Sequence, residues 1–236
     1  MNRQSQCVLA ATALVVCALC AAGAEAQGNW QPGDFGSMRV YLGISQPRAD
    51  SQYWDEVFDA FTGSPSSFED MVFGADYLWG TSKNSGVLFG VSFYDGATTQ
   101  AYKDYVDSNG GDISHNTTLK LADLSAAYVW RFGRRGVRPY IGAGAGLLWW
   151  RLTEEGYFVD LSDDDLPIVF ASYRADGTTW ELFALAGLDV PLGFRWSFFV
   201  EGRLRWAEAE LNKDFAGFGT IDLSGYQLAG GFSWNF

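Results

Sequence analysis

The chain closes on "GYQLAGGFSWNF", Gly225 to Phe236, and the reading of this stretch decides the fold. Tyr226, Leu228, Gly230, Phe232, Trp234 and Phe236 share one parity, while Gln227, Ala229, Gly231, Ser233 and Asn235 share the other. A period of two belongs to a β-strand, whose side chains alternate between the faces of its sheet. Soluble domains usually end in polar, frayed residues. A last strand with an aromatic face needs a solvent for that face. If the solvent is lipid, the strand must pair on both edges, so the last strand is expected to close against the first.

Seven further segments share the period. They are "MRVYLGIS" (38–45), "MVFGADYLW" (71–79), "VLFGVSFY" (87–94), "ADLSAAYVWRF" (122–132), "YIGAGAGLLWW" (140–150), "WELFALAGLDV" (180–190) and "WSFFVEGRLRW" (196–206). Each is about the length of a tilted strand that crosses a bilayer. Their connections alternate. "GTSKNSG", "GRRGVRP" and "PLGFR" are tight turns marked by Gly and Pro, and the other four are long and rich in Asp, Glu and Gly. This pattern predicts an all-β protein, an eight-stranded antiparallel up-and-down transmembrane β-barrel with an interior filled by side chains.

One parity of these segments carries Val40, Leu42, Phe73, Trp79, Phe89, Tyr128, Ile141, Leu182 and Leu204, with no charge through the strand centres. The other carries Arg39, Asp76, Asp123, Arg131, Glu181, Glu201, Arg203 and Arg205 among many glycines. A soluble ligand-carrying barrel alternates too, with its apolar face inward. Three features point to the inverted arrangement. Aromatics gather at both strand ends, as two interfacial girdles would: Trp79, Trp130, Phe132, Trp196, Trp234 and Phe236 at one end, and Phe93, Trp149, Trp180 and Trp206 at the other. The charged parity holds both signs, so it can neutralise itself in a lumen. The chain also stops on an aromatic strand.

The segment before the first strand reads as export machinery. Arg3, the apolar run "CVLAATALVVCALCAA" (7–22) and Ala24-Glu25-Ala26 make a signal peptide over residues 1–26, cleaved near Ala26/Gln27, which leaves the barrel domain at 27–236 and places it in the cell outer membrane. All three cysteines, Cys7, Cys17 and Cys20, lie in that peptide, so disulfides cannot staple the mature fold. With 28 Asp+Glu against 16 Lys+Arg, nucleic acid is not an expected partner.

At "RPYIGAGAG" (138–146), the eight-strand plan and the terminal "GGFSWNF", the sequence resembles the small outer-membrane β-barrel proteins of the OmpA/OmpX/OmpW-like group. The resemblance covers about all of the mature chain. It implies outer-membrane lipid and lipopolysaccharide as surroundings. It also implies that Tyr226, Leu228, Phe232, Trp234 and Phe236 form the signal read by the β-barrel assembly machinery. Nothing in the sequence corresponds to the periplasmic peptidoglycan-binding domain of full-length OmpA, so wall anchoring is not expected.

The catalytic inventory is thin. His115, in "GGDISHNTT", is the only histidine and reads as a solvated loop residue. "EEGYFVDLSDDD" (154–165) reads as a solvated acidic loop, open to an extracellular ligand, and no cofactor is expected. In "SQYWDEVFDAFTG" (51–63), Trp54, Val57, Phe58 and Phe61 have helical spacing. This predicts either a short amphipathic helix across the barrel mouth or on the membrane, or a loop packing its own aromatics. A turn centred near Gly193 would set Glu181 opposite Arg205, Phe183 opposite Arg203 and Leu185 opposite Glu201. These charges, with Arg39, Asp76, Asp123 and Arg131, would make an ion-paired lumen cluster, a plug or a gate. The expected protein is a non-catalytic outer-membrane barrel with a structural or surface-interaction role, with a narrow pore for ions or small solutes as the alternative and a lipid-modifying enzyme third.

Overall fold

The computed structural model describes residues 36–236, apart from 83, 134–135, 161–164 and 194. The expected signal peptide and cleavage site therefore lie outside the described residues, as does part of the acidic loop. The strands are β1 (Ser37–Pro47), β2 (Asp70–Gly80), β3 (Ser85–Val106), β4 (Asp112–Arg131), β5 (Arg138–Val159), β6 (Ile168–Pro191), β7 (Trp196–Glu210), a three-residue β8 (Thr220–Asp222) and β9 (Gly225–Asn235); one helix, α1 (Gln52–Ala60), lies between β1 and β2.

Eight of these strands close a ring in the order β6-β5-β4-β3-β2-β1-β9-β7, with β7 returning to β6; every pairing is antiparallel. The terminal strand does close on the first, from Ser37↔Asn235 to Pro47↔Gly225. Closure leaves no edge in the spanning region, so each backbone polar group there has a partner that lipid could not supply. The short β8 runs along the end of β7, at Glu208–Glu210.

The faces divide as their parity requires. Val40, Leu42, Phe73, Phe89, Leu124, Tyr128, Ile141, Leu182, Leu204 and Phe232 are exposed on the outside. Trp79, Trp130, Trp196 and Trp234 ring the short-turn end, and Trp149, Trp180 and Trp206 stand at the other. Inside, Leu78, Leu88, Val129, Tyr140, Phe183 and Leu185 pack together toward the short-turn end. A larger apolar cluster fills the long-loop end.

The strands on one side are longer than their hydropathy suggests. β3 to β6 run 20–24 residues, against the 8–11 read as periodic segments. Beyond the girdle the outer positions become Thr99, Asn116, Thr118, Thr153 and Glu155, so the apolar alternation stops although the strand does not. Two stretches expected as loops are thus paired sheet. His115 lies on β4, opposite Gln100 and Gly156, and is 2% exposed, not solvated. Glu154, expected in a solvated loop, lies on β5 opposite Thr117 and Tyr173 and is buried. Strands β3 and β4 meet in a tight turn rather than a long loop. Asp107 Oδ1 accepts from the N–H groups of Asn109 and Gly111 at 2.8 and 2.7 Å, and Gly110 takes the left-handed φ of +80° that the turn needs.

Candidate functional site

The interior charges meet in a belt between the two girdles. Arg39 on β1 is its hub. Its Nη2 donates to Glu201 Oε2 at 3.0 Å and to Tyr140 Oη at 2.8 Å, and Tyr140 Oη donates to the same carboxylate oxygen at 2.9 Å. Its Nη1 lies 3.8 Å from Asp76 Oδ2. Arg203 Nη2 reaches Glu201 Oε1 at 3.3 Å. Arg205 bridges two acids, with Nε 2.7 Å from Glu181 Oε2 and Nη2 3.3 Å from Asp123 Oδ2. Ser92 Oγ donates to Asp123 as well. The guanidinium of Arg39 lies 3.8 Å from the centroid of Phe199, and that of Arg203 lies 4.7 Å from Phe183. All seven of these charged side chains are 9% exposed or less. Such charges persist in a low-dielectric interior only because each has partners.

Arg131, expected in the same cluster, makes no ion pair with the belt's carboxylates among the described residues. It borders the belt across a cavity of about 20 Å³ at the short-turn mouth, which Arg39, Tyr140, Asp189, Ser233 and Asn235 also line. Arg138 and Asp189 form their own ion pair there, at 2.5 Å.

The register of the β6–β7 hairpin corrects the expected pairing. Glu181 is opposite Ala207, Phe183 opposite Arg205, Leu185 opposite Arg203 and Gly187 opposite Glu201. The strands stay together to Pro191↔Ser197, and the hairpin closes with Leu192 N–H donating to Trp196 O at 2.9 Å, so the turn centres one residue later than Gly193. A shift of two positions keeps each side chain on its face. Arg205 then reaches Glu181 along a diagonal.

Sequence reasoning passed over Tyr41, Tyr140 and Ser92, and the reason the glycines stand where they do. Tyr41 is opposite Gly74, where a Cβ would come within 2.4 Å of the tyrosine hydroxyl; Tyr140 is opposite Gly187, with 2.5 Å for the same contact. At Gly146 of the "GAGAG" run, a Cβ would come 2.8 Å from Glu181 Oε1. Inward glycines therefore clear space for the belt's long polar side chains. A tyrosine and a glycine on neighbouring inner faces was the available signal, but finding it requires the register.

Above the belt, α1 lies in the barrel mouth, as one of the two expected readings had it. It buries Tyr53, Trp54 and Val57 against Phe68, Leu119, Leu148, Leu152, Phe215 and Ile221, while Phe58 and Phe61 are only partly buried. Trp54 is fully buried, stacks on Phe58 at 5.6 Å and donates its Nε1–H to Asp222 O at 3.0 Å. Over the lid, beyond the membrane-spanning part of the strands, Tyr53 Oη donates to Glu154 Oε1 at 2.8 Å and Thr117 Oγ1 to Gln100 Oε1 at 3.1 Å. His115 sits between the rings of Phe61 and Phe158, at 4.5 and 4.7 Å. Burial pulls its imidazole down to about 4. Burial pushes Glu154 up to about 6, with the Tyr53 hydrogen bond acting the other way.

A closed ring of eight antiparallel strands, apolar outward and ion-paired inward, is the architecture of the small outer-membrane β-barrel proteins. Among solved structures, the chain is similar to the outer membrane protein OprG from Pseudomonas aeruginosa, at 14% identity and a TM-score of 0.54, over 88% of this chain and 98% of that one. It is similar to Neisserial surface protein A, at 13% identity and a TM-score of 0.51, over 86% and 98% of the two chains. The likeness is one of fold. No family model matches the sequence, and no curated protein matches it.

Proposed function

We propose that this protein is an integral outer-membrane barrel with a plugged lumen, serving a structural or surface-interaction role without catalysis. The observation that carries the reading is the continuous filling of the interior. An apolar lid, an ionic belt and a second apolar cluster follow one another along the axis. Among the described residues, cavities on either side of the belt have volumes of about 10 and 20 Å³, enough for single waters. His115 supports the non-catalytic reading, because among the described residues neither ring nitrogen has a hydrogen-bond partner, and Phe61 and Phe158 pack against the ring at 4.5 and 4.7 Å. Planar-bilayer recording of the refolded mature chain tests the proposal: closed, non-conducting bilayers are expected, and steady conductance by the wild type would overturn it.

A narrow gated pore is the second reading, favoured by cavities that, among the described residues, approach the belt from opposite sides. Opening would require breaking the Arg39–Glu201 and Arg205–Glu181 pairs. The belt sets three cations, Arg39, Arg203 and Arg205, against four carboxylates, Asp76, Asp123, Glu181 and Glu201. Any current through an opened belt should therefore favour cations, which reversal potentials in a salt gradient would reveal.

A further inference from the structure

Just beyond the extracellular girdle, four neighbouring strands carry a single charged row on their outer face. Asp95 on β3 is directly opposite Lys120 on β4, Lys120 opposite Arg151 on β5, and Arg151 opposite Asp176 on β6. The row lies two residues past Phe93, Ala122 and Trp149. Its ends are paired. Lys120 Nζ is 2.6 Å from Asp95 Oδ2, and Asp176 Oδ1 receives Lys213 Nζ at 2.5 Å and Arg174 Nε at 3.0 Å. Arg151, in the middle, is exposed and has no ion-pair or hydrogen-bond partner among the described residues.

This arrangement is unfavourable by itself. Like charges directly opposite each other on adjacent strands repel, yet Lys120 and Arg151 hold that relation in a chain of formal charge −12. The row and its neighbours bring four cations, Lys120, Arg151, Arg174 and Lys213, against three acids, Asp95, Asp176 and Asp214, the last accepting from the Arg174 backbone N–H at 2.8 Å. The far flank is different: two residues past Trp206 on β7 stands Glu208, also exposed and outward. The cations are thus gathered over β4–β6, at the height where a girdle of aromatics marks the boundary between hydrocarbon and headgroups.

We infer that the outer face of β4–β6 at Lys120 and Arg151 docks a phosphorylated lipid headgroup of the outer leaflet. Residues opposite one another in an antiparallel pair have Cβ atoms about 5 Å apart, so one phosphate can accept from both side chains. The Arg151 guanidinium offers a planar fork for two phosphate oxygens, and Lys120 a mobile point charge. Arg174 and Lys213 flank the site and are held by Asp176, which leaves Arg151, among the described residues, as the cation open to a phosphate. A lipid fits better than free phosphate because Trp149 and Trp180 lie exposed directly below, where acyl chains attached to the same phosphate would run. The site rests on the outer-membrane reading and gives it a particular partner chemistry.

The full mature barrel is folded into phosphatidylcholine vesicles that also contain either bisphosphorylated lipid A or the same lipid with both phosphates removed. Heat-modifiable migration reports the folded barrel, and native mass spectrometry after mild detergent extraction counts retained lipid. The wild type should retain the phosphorylated lipid and not its dephosphorylated form. The Lys120→Gln/Arg151→Gln double variant should lower retention about tenfold, the scale of one lost charge-assisted contact. Arg48→Gln, whose residue pairs with Asp50 outside this row, should leave retention unchanged. Equal retention of both lipids, or unchanged retention by the double variant, overturns the site while leaving the barrel intact. Inorganic phosphate that displaces the lipid at equal phosphate concentration would make this a simple anion site and overturn the lipid assignment. A chain that gives no heat-modifiable barrel in any vesicle overturns the membrane placement and this site together.

Discussion

Arg205 Nε lies 2.7 Å from Glu181 Oε2, although the sheet sets Arg205 opposite Phe183 and Glu181 opposite Ala207. The pair forms along a diagonal inside the barrel, and Asp123 completes it from the third strand over. Breaking a buried pair strands the remaining charge, so Arg205→Ala should destabilise the barrel by about 3–5 kcal/mol. Glu181→Ala should cost less than Arg205→Ala, because Arg205 keeps Asp123. The double variant should cost less than the sum of the two. Denaturant unfolding in lipid checks the sign. Stabilisation by Arg205→Ala would mean that the side chain faces lipid, where an arginine at the midplane costs about 2–4 kcal/mol.

The lid hangs on Trp54. Its ring is fully buried and its Nε1–H is satisfied by Asp222 O at 3.0 Å. Trp54→Ala should cost about 3–5 kcal/mol of lid stability and release α1 from the mouth while the spanning strands stay paired. Hydrogen exchange should then show α1 amides exchanging far faster, with the β1–β9 amides unchanged. Loss of protection in both at once would make lid and barrel a single cooperative unit.

His115 and Glu154 set opposite pH dependences on the same lid. Folded His115 titrates at about 4, below its ordinary 6.5, so between these values the unfolded chain binds the proton and the folded one does not. Its contribution is therefore lost as pH falls from about 6.5 to 4. Folded Glu154 titrates at about 6, above its ordinary 4.5, so its contribution is lost as pH rises through that interval. His115→Gln should flatten the acid side of the lid's stability profile, and Glu154→Gln should remove the decline between 4.5 and 6. The same profile in wild type and His115→Gln would show that another group controls the acid side.

The short turns should face the periplasm and the long strands the outside, as in small outer-membrane barrels. Cysteines occur only at positions 7, 17 and 20, before the barrel, so single cysteines can be placed on a clean background. An impermeant maleimide should label Asn109→Cys, in the β3–β4 turn, on intact cells. It should leave Leu192→Cys unlabelled until the cells are opened. The reverse pattern would invert the topology.

The terminal strand should also act in export. Phe236 stacks on Tyr77 at 6.3 Å and touches Trp234 at 5.6 Å, so it is part of the short-turn girdle. Deleting Phe236 should lower the amount of folded barrel in the outer membrane, yet leave refolding into detergent micelles efficient. A parallel loss in micelles would mean that the residue acts through barrel stability and not as an assembly signal.

The sequence by itself determined the fold class, the inward and outward parities and the closure of last strand on first. Each of these follows from a period of two and from the need to hide charge and backbone from lipid. Tyr226, Phe232 and Trp234 announced the outer face, as Arg39, Asp76 and Glu201 announced the inner one. The structure alone decided which charges meet. Parity survives a shift of two residues, so the true register of β6 and β7 was invisible to alternation, and so was the absence of Arg131 from the belt's ion pairs among the described residues. Strand length was hidden too. Above the girdle, water replaces lipid outside the barrel, so Thr99, Asn116 and Glu155 stand where apolar residues would otherwise mark the strand. The burial of His115 beneath Phe61 depended on a loop folding back over that extended wall. Such a contact joins residues 54 positions apart, and it is set by packing in three dimensions, which no local period records.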